Sequence, residues 1–268
     1  MELLYHRSSD RISVLALHDD RTTPPIDDFL HEDIPAFIGL FLEREDAEAY
    51  EVMRRNNVFP ELCALLCPTE ELCEGHCYKT FLDEQVPPIA EVQRFLAEEA
   101  NRRGWSQLRI PEKRTGKRVA VLGGGPCGLA CAARLLEKGH AVTVFDRDTA
   151  LGGMIHSVIP PERHGSGLSR EKSVIFGDVP SELLSVETDR ALGEDYTLED
   201  ILAEGYEAAF IAVGLQEPVT VQEHPGSGVV DGLEFLRSAK DDGLDLRGQE
   251  VAVVGGGNTA MDVALTAR

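Results

Sequence analysis

Arg118-Val119-Ala120-Val121-Leu122 followed by Gly123-Gly124-Gly125-Pro126-Cys127-Gly128 decides the fold: a short β-rich run leads into a G-x-G-x-x-G turn. A glycine match alone is weak, so the flanking residues carry the reading. Leu129, Ala132, Ala133 and Leu136 follow at helical spacing, and Gly139 is a helix stop. Ala141-Val142-Thr143-Val144-Phe145 then reads as a second strand ending at Asp146. Strand, glycine turn, helix, strand and terminal acid are the parts of a dinucleotide-binding βαβ unit. Gly123 permits the tight turn, Gly125 lets a pyrophosphate approach the backbone, and Gly128 lets helix and strand pack closely. Unpaired N–H groups at the helix start face the phosphates, and Asp146 is placed to accept hydrogen bonds from ribose hydroxyls. Cys127 and Cys131 lie in this unit and are expected to be small packing residues rather than reactive thiols.

A second unit begins near the end of the chain. Glu250-Val251-Ala252-Val253-Val254 reads as a strand, Gly255-Gly256-Gly257-Asn258-Thr259-Ala260 as the turn, and 261–267 as a helix. Ala260 stands in place of the third glycine, and alanine still permits close helix–strand packing. The strand whose end separates NAD from NADP would come after Arg268, so the nicotinamide preference is unreadable and the chain reads as truncated within this unit.

The 268 residues are 43% hydrophobic with a formal net charge of −21, which predicts a globular chain of one or two domains. No apolar run reaches membrane-spanning length, and the start lacks an export signal, so a cytoplasmic protein without membrane insertion is expected. Residues 178–250 carry 18 Asp/Glu against 4 Lys/Arg. Phosphate attraction requires a basic face, so nucleic acid is excluded as a partner. The acidic stretch itself reads as solvated surface, with an acidic docking face for a partner protein as the alternative.

Four of the six cysteines are clustered as C-x3-C-P-x4-C-x3-C: Cys63, Cys67, Cys73 and Cys77. Thiolates this close in sequence suit one soft centre, iron–sulfur or zinc, and the spacing leans towards iron–sulfur. Short helices are expected at 34–41 and 46–55, with Asn56-Asn57 as a stop before the cysteine loop. Ile89, Val92, Leu96 and Ala100 form an apolar helical stripe, and Gln93 beside it needs a hydrogen-bond partner or a metal centre. Residues 111–117 read as an interdomain linker. The expected domains are a helical cysteine domain at 1–116, the first part of a dinucleotide domain at 117–247, and the start of another at 248–268.

The cysteine run, the first glycine turn, Leu151-Gly152-Gly153-Met154 and Gly257-Asn258-Thr259-Ala260-Met261-Asp262 occur in a family-specific order. Over about residues 30–268 the chain resembles the small (beta) subunit of glutamate synthase and its relatives, including the N-terminal part of dihydropyrimidine dehydrogenase. The resemblance implies an α/β architecture: an N-terminal α-helical iron–sulfur-type domain, an FAD-binding Rossmann-like domain, and the start of an inserted NAD(P)-binding Rossmann-like domain. It implies FAD contacts from Gly123, Gly125, Pro126, Gly128, Asp146 and Arg147, continued by Gly152, Gly153 and Arg163. Phe210-Ile211-Ala212-Val213-Gly214 resembles the family's crossing strand, with Val213 in place of threonine and Gly214 at the site. Gly255, Gly257, Asn258, Thr259 and Ala260 match the nicotinamide turn, and Asp262 is implied to line it. His156 and His164, in the loop region after Gly153, are expected to be exposed.

The cysteine pattern departs from the family, whose members carry four further cysteines upstream. Residues 1–62 have none, and Asp28 stands where the last would be. The resemblance assigns Cys67, Cys73 and Gln93 to one cluster and Cys77 to another. One [4Fe-4S] cluster completed by Asp28 or Cys63, a four-thiol cluster or zinc site, and a relic held by packing all remain open. The implied function is an NAD(P)H-dependent, FAD-containing oxidoreductase subunit passing electrons to a partner, such as a glutamate synthase large subunit. The alternative is a non-catalytic docking subunit with a degenerate iron–sulfur domain.

Overall fold

A computed structural model of the chain describes residues 4–8, 11–15, 32–82, 85–105, 107–215, 228–241, 243 and 245–268. Asp28 lies outside them. The amino-terminal elements are strands β1 (Leu4–Ser8) and β2 (Arg11–Leu15), then helices α1 (Ile34–Leu42), α2 (Asp46–Arg54), α3 (Pro60–Leu66), α4 (Tyr78–Phe81) and α5 (Ile89–Arg103). Next come β3 (Arg118–Leu122), α6 (Pro126–Glu137), β4 (Ala141–Phe145), α7 (Met154–Ser157), α8 (Pro161–His164) and α9 (Gly167–Phe176). The chain continues through β5 (Leu184–Glu187), α10 (Leu198–Ala203), β6 (Ala208–Ile211), α11 (Gly232–Asp241) and α12 (Asn258–Thr266).

The chain divides into two compact units, 1–107 with 169–178, and 108–168 with 179–268. The first unit thus ends ahead of the linker anticipated at 111–117 and takes in a segment that the sequence assigned to the dinucleotide domain. Its core is Ile34, Phe37, Ala49, Tyr50 and Met53 packed on Ile89, Val92, Leu96 and Ala100, so the whole apolar stripe of α5 is buried. The helix ends follow local chemistry. Asp33 caps α1 by accepting from the Ala36 N–H at 3.1 Å, and α5 stops where Gly104 takes φ 76°.

Helix α3 has no side-chain cap of its own. Its free N–H groups at Glu61 and Leu62 donate instead to the carboxylate of Glu171 on α9, at 2.8 and 2.9 Å. Glu61, fully buried, in turn accepts from Asn101 and forms an ion pair with Arg170. These bonds explain why 169–178 joins the helical unit: a buried helix start needs acceptors, and here they are distant in sequence.

The second unit is built on a four-stranded parallel sheet ordered β5-β4-β3-β6. Register pairs Val121 with Val144 and with Phe210. Helix α6 packs on β3, β4 and β6, and Phe145, Tyr196, Ile201 and Tyr206 belong to a separate apolar cluster with Ala120 and Leu122. One expectation fails: Glu250-Val251-Ala252-Val253-Val254 is not a strand, and Val254 is almost wholly exposed. A strand needs a hydrogen-bonded neighbour, and among the described residues none pairs with this run. Helix α12 still forms, starting at Asn258, and anchors Val263 against Val158 and Leu236. Among the described residues no helix is long and apolar enough to cross a membrane.

Candidate dinucleotide site

The carboxyl ends of the parallel strands open onto a cavity of about 410 Å³. Its floor is the first glycine turn. Gly123 has φ 114°, and a Cβ there would lie 2.2 Å from the carbonyl oxygen of Ala212. A Cβ on Gly128 would lie 1.8 Å from the oxygen of Gly123, which is the close packing expected of the third glycine. Gly125 differs: a Cβ would meet only the Cα of Gly153, at 3.7 Å, so its emptiness is not demanded by the protein's own packing. A backbone that close to open space suits an approaching pyrophosphate. Pro126 opens α6 at the position where a missing N–H costs nothing, and no side chain caps that helix start.

Asp146 lies at the end of β4 and lines the cavity while remaining largely buried. Its carboxylate accepts from the Gly124 and Asp148 N–H groups, which fixes the turn and the acid relative to each other. Gly152 donates to the Gly124 oxygen at 2.9 Å, and Gly153, at φ 52°, forms the opposite wall beside Gly125. Arg147, Met154, Val213 and Gly214 complete this side.

Several lining residues were missed from sequence: Arg190, Leu192, Glu194 and Tyr196. Arg190 stands over the rings of Phe145 and Tyr196, 5.3 and 5.0 Å from their centroids, and pairs with Glu187. The available signal was positional. In a parallel sheet the loop after the neighbouring strand reaches the same crevice, and the Arg190 N–H donates to the Asp146 carbonyl oxygen.

Arg163 is not among the cavity-lining residues; it pairs with Asp262 at 2.9 Å, and Asp262 is itself buried. In the second turn Gly255 has φ 139°, a Cβ there would lie 3.2 Å from the Ala260 Cβ, and Gly257 has open space around it. Asn258, Thr259 and Ala260 form the first turn of α12. His156 is exposed as expected, whereas His164 is half-buried, and burial followed by the nearby Lys240 charge holds its imidazole below the usual range. Cys127 is exposed at the cavity; burial, then Cys127, pushes the Cys131 thiol up to about 11.

In the helical unit the Cys63 and Cys67 thiols meet. The Cys63 thiol is pushed up first by its hydrogen bond with Cys67 and then by burial, and it lies 3.6 Å from the Asn57 side-chain oxygen. Cys73 packs on the helical core, Cys77 is buried before α4, and Gln93 is buried in α5. Among the described residues, no three His, Cys, Asp or Glu side chains gather closely enough to hold one metal ion. The dinucleotide cradle fits its ligand class.

Two family profiles match successive parts of the chain. The family profile described as "Dihydroprymidine dehydrogenase domain II, 4Fe-4S cluster" matches residues 29–105, and that described as "Pyridine nucleotide-disulphide oxidoreductase" matches 117–268. The latter implies FAD with NAD(P), and the former a 4Fe-4S cluster. The glutamate synthase [NADPH] small chain of Escherichia coli is 32% identical over 251 residues, covering 88% of this chain and 52% of its own length. That of Azospirillum brasilense is 33% identical over 254 residues, covering 87% and 51%. The NADPH-Fe(3+) oxidoreductase subunit beta of Geobacter sulfurreducens is 32% identical over 239 residues, covering 87% and 34%. This chain thus spans about half the length of the glutamate synthase small chains that it matches. With the profile covering more than half of the chain and the glycine cradle built as described, the chain belongs to the pyridine nucleotide-disulphide oxidoreductase family.

Proposed function

We propose that the chain forms part of an NAD(P)H-dependent flavoprotein subunit that accepts hydride from a nicotinamide nucleotide and passes electrons to a partner protein. The observation that carries this reading is the cavity at the β3 turn, where Gly125 leaves backbone open beside an uncapped helix start and Asp146 stands at the far strand end. FAD, when bound, supplies hydride acceptance and electron release. The chain's own residues bind and orient. The α6 start and Gly125 take the pyrophosphate, Asp146 takes ribose hydroxyls, and Arg147 with Arg190 supplies positive charge at the same cavity. Gly255, Gly257, Asn258, Thr259 and Ala260 take the nicotinamide dinucleotide's pyrophosphate, and the remainder of that site lies on residues other than these.

A glutamate synthase large subunit or another redox protein in the cytoplasm fits the role of acceptor, given the similar small chains. The helical unit matches a 4Fe-4S family profile, and docking is the alternative reading of it, because among the described residues no three ligating side chains gather. Gentle purification of the complete protein should yield bound FAD that NADPH or NADH bleaches anaerobically; a colourless, flavin-free protein would sink the proposal. Iron and acid-labile sulfide assayed on the same sample decide the role of the helical unit. A stoichiometric cluster would support electron relay, and zinc or no metal would favour docking.

A further inference from the structure

Helix α12, which begins at the second glycine turn, is tied to the wall of the flavin cavity by two kinds of contact. One is polar: Arg163 on α8 donates to the Asp262 carboxylate at 2.9 Å, and the Asp262 side chain is only 7% exposed. The other is apolar. Val263 of α12 packs with Val158 and with Leu236 of α11, and Met154, Leu233 and Phe235 close around them. Met154 is the shared residue, since it also lines the flavin cavity next to Gly153, and its sulfur receives Arg237 at 3.6 Å. Helix α11 is clamped to the same wall at its other end, where the Lys240 ammonium donates to the His156 and Ile159 carbonyl oxygens at 2.7 and 2.6 Å. Its start approaches α12 closely: a Cβ on Gly232 would lie 3.2 Å from Thr259 and 3.3 Å from Val263.

We propose that Arg163 and Asp262 are a positioning pair that sets the nicotinamide turn relative to the flavin cavity, with Met154 as the apolar link, so that occupancy of one dinucleotide site favours occupancy of the other. This rests on the two-site reading given above. Neither residue lines the flavin cavity, so the pair acts through the placement of α12 against α8, with α7 joined through Met154. A buried carboxylate with one guanidinium partner has a narrow range of low-energy placements, because moving α12 away leaves Asp262 desolvated and unpaired. Ordering of either glycine turn by its ligand reduces what the second ligand must order, which is positive coupling and is reciprocal.

The test uses the complete protein. FAD affinity is measured by flavin fluorescence with and without saturating NADP or NAD, and the ratio of the two dissociation constants reports the coupling. A wild-type ratio of about fivefold is expected, at the low end of allosteric couplings. Asp262→Asn keeps the side-chain shape and removes the charge; it and Arg163→Leu should bring the ratio close to one. The double variant should add nothing further, and Arg163→Lys should retain most of the ratio. Wild-type protein that binds both nucleotides with a ratio of one, or a ratio unchanged in Asp262→Asn and Arg163→Leu, would overturn the positioning role while leaving the flavoprotein reading intact. Absence of FAD from the wild type would overturn both.

Discussion

Gly123, Gly125 and Gly128 share one turn but are glycine for different reasons. A side chain on Gly123 or Gly128 collides with backbone oxygen, whereas one on Gly125 enters the cavity. Gly125→Val is therefore expected to fold with a melting temperature near wild type and to lose FAD. Gly123→Val should be strongly destabilised, since its φ of 114° also disfavours any side chain. Thermal melts alongside flavin content separate the two outcomes; equal destabilisation of both would remove the distinction. Glu171 of α9 is a buried carboxyl at the start of α3. Burial, opposed by the N–H groups of Glu61 and Leu62, pushes its carboxyl up from 4.5 to about 8, with Glu61 raising it and Arg54 lowering it. The folded state thus holds this proton more tightly than the unfolded chain, and the resulting stability is full below about pH 4.5 and is lost as pH rises through about 8. Glu171→Gln, which keeps one acceptor for α3, should flatten that part of the pH dependence in urea unfolding of the protein.

Helix ends give the clearest predictions for elements. Thr197 and Asp200 form a reciprocal capping box at the start of α10, whose Ile201 is fully buried. Thr197→Ala should cost about 1 kcal/mol of stability, read as a shift in denaturant midpoint with unchanged slope. Helix α3 shows the opposite arrangement, with its acceptors supplied by α9. Arg170→Ala leaves the buried Glu61 carboxylate with Asn101 but without its cation, at a cost of about 2 kcal/mol because the arginine is partly exposed. A measured loss below 0.5 kcal/mol, about the size of a neutral surface change, would show that the ion pair does not hold α9 to α3.

For the whole molecule, the contrast lies between the two glycine turns. The first sits on a paired sheet; the second follows a run whose valines at 251, 253 and 254 are exposed. Amide hydrogen exchange on the 268-residue chain should be slow across β3 and β4 and rapid at 251–254. Protection at 251–254 equal to that of β3 would contradict the unpaired backbone. The acidic excess at 178–250 falls mainly on the described elements from β5 to α11 and the segments between them, and several of its carboxylates have definite work. Glu187 pairs with Arg190, Asp200 caps α10, and Asp231 accepts from the start of α11.

The first dinucleotide unit was legible residue by residue, because a strand, a glycine turn, a helix and an acid at the next strand end are linked by short-range constraints. The helical core was legible too, since Ile89, Val92, Leu96 and Ala100 declare their buried face by spacing. One element misled. Glu250-Val251-Ala252-Val253-Val254 has strand-like residues, but pairing depends on a neighbour that local sequence does not contain. The cysteine spacing pointed to a soft centre, and the 4Fe-4S profile match over 29–105 agrees with it, while among the described residues the Cys63 and Cys67 thiols meet.

Sequence alone determined the family-type order of motifs, the βαβ cradle and the glycines of its tight turn, because those depend on residues within one or two turns of each other. Only the tertiary structure decided that Arg190 and Tyr196 join the cavity, that Glu171 caps a helix 109 residues upstream, and that Arg163 meets Asp262. Such partners come from separate elements, and burial of charge and of helix ends selects them by distance in space rather than by spacing along the chain.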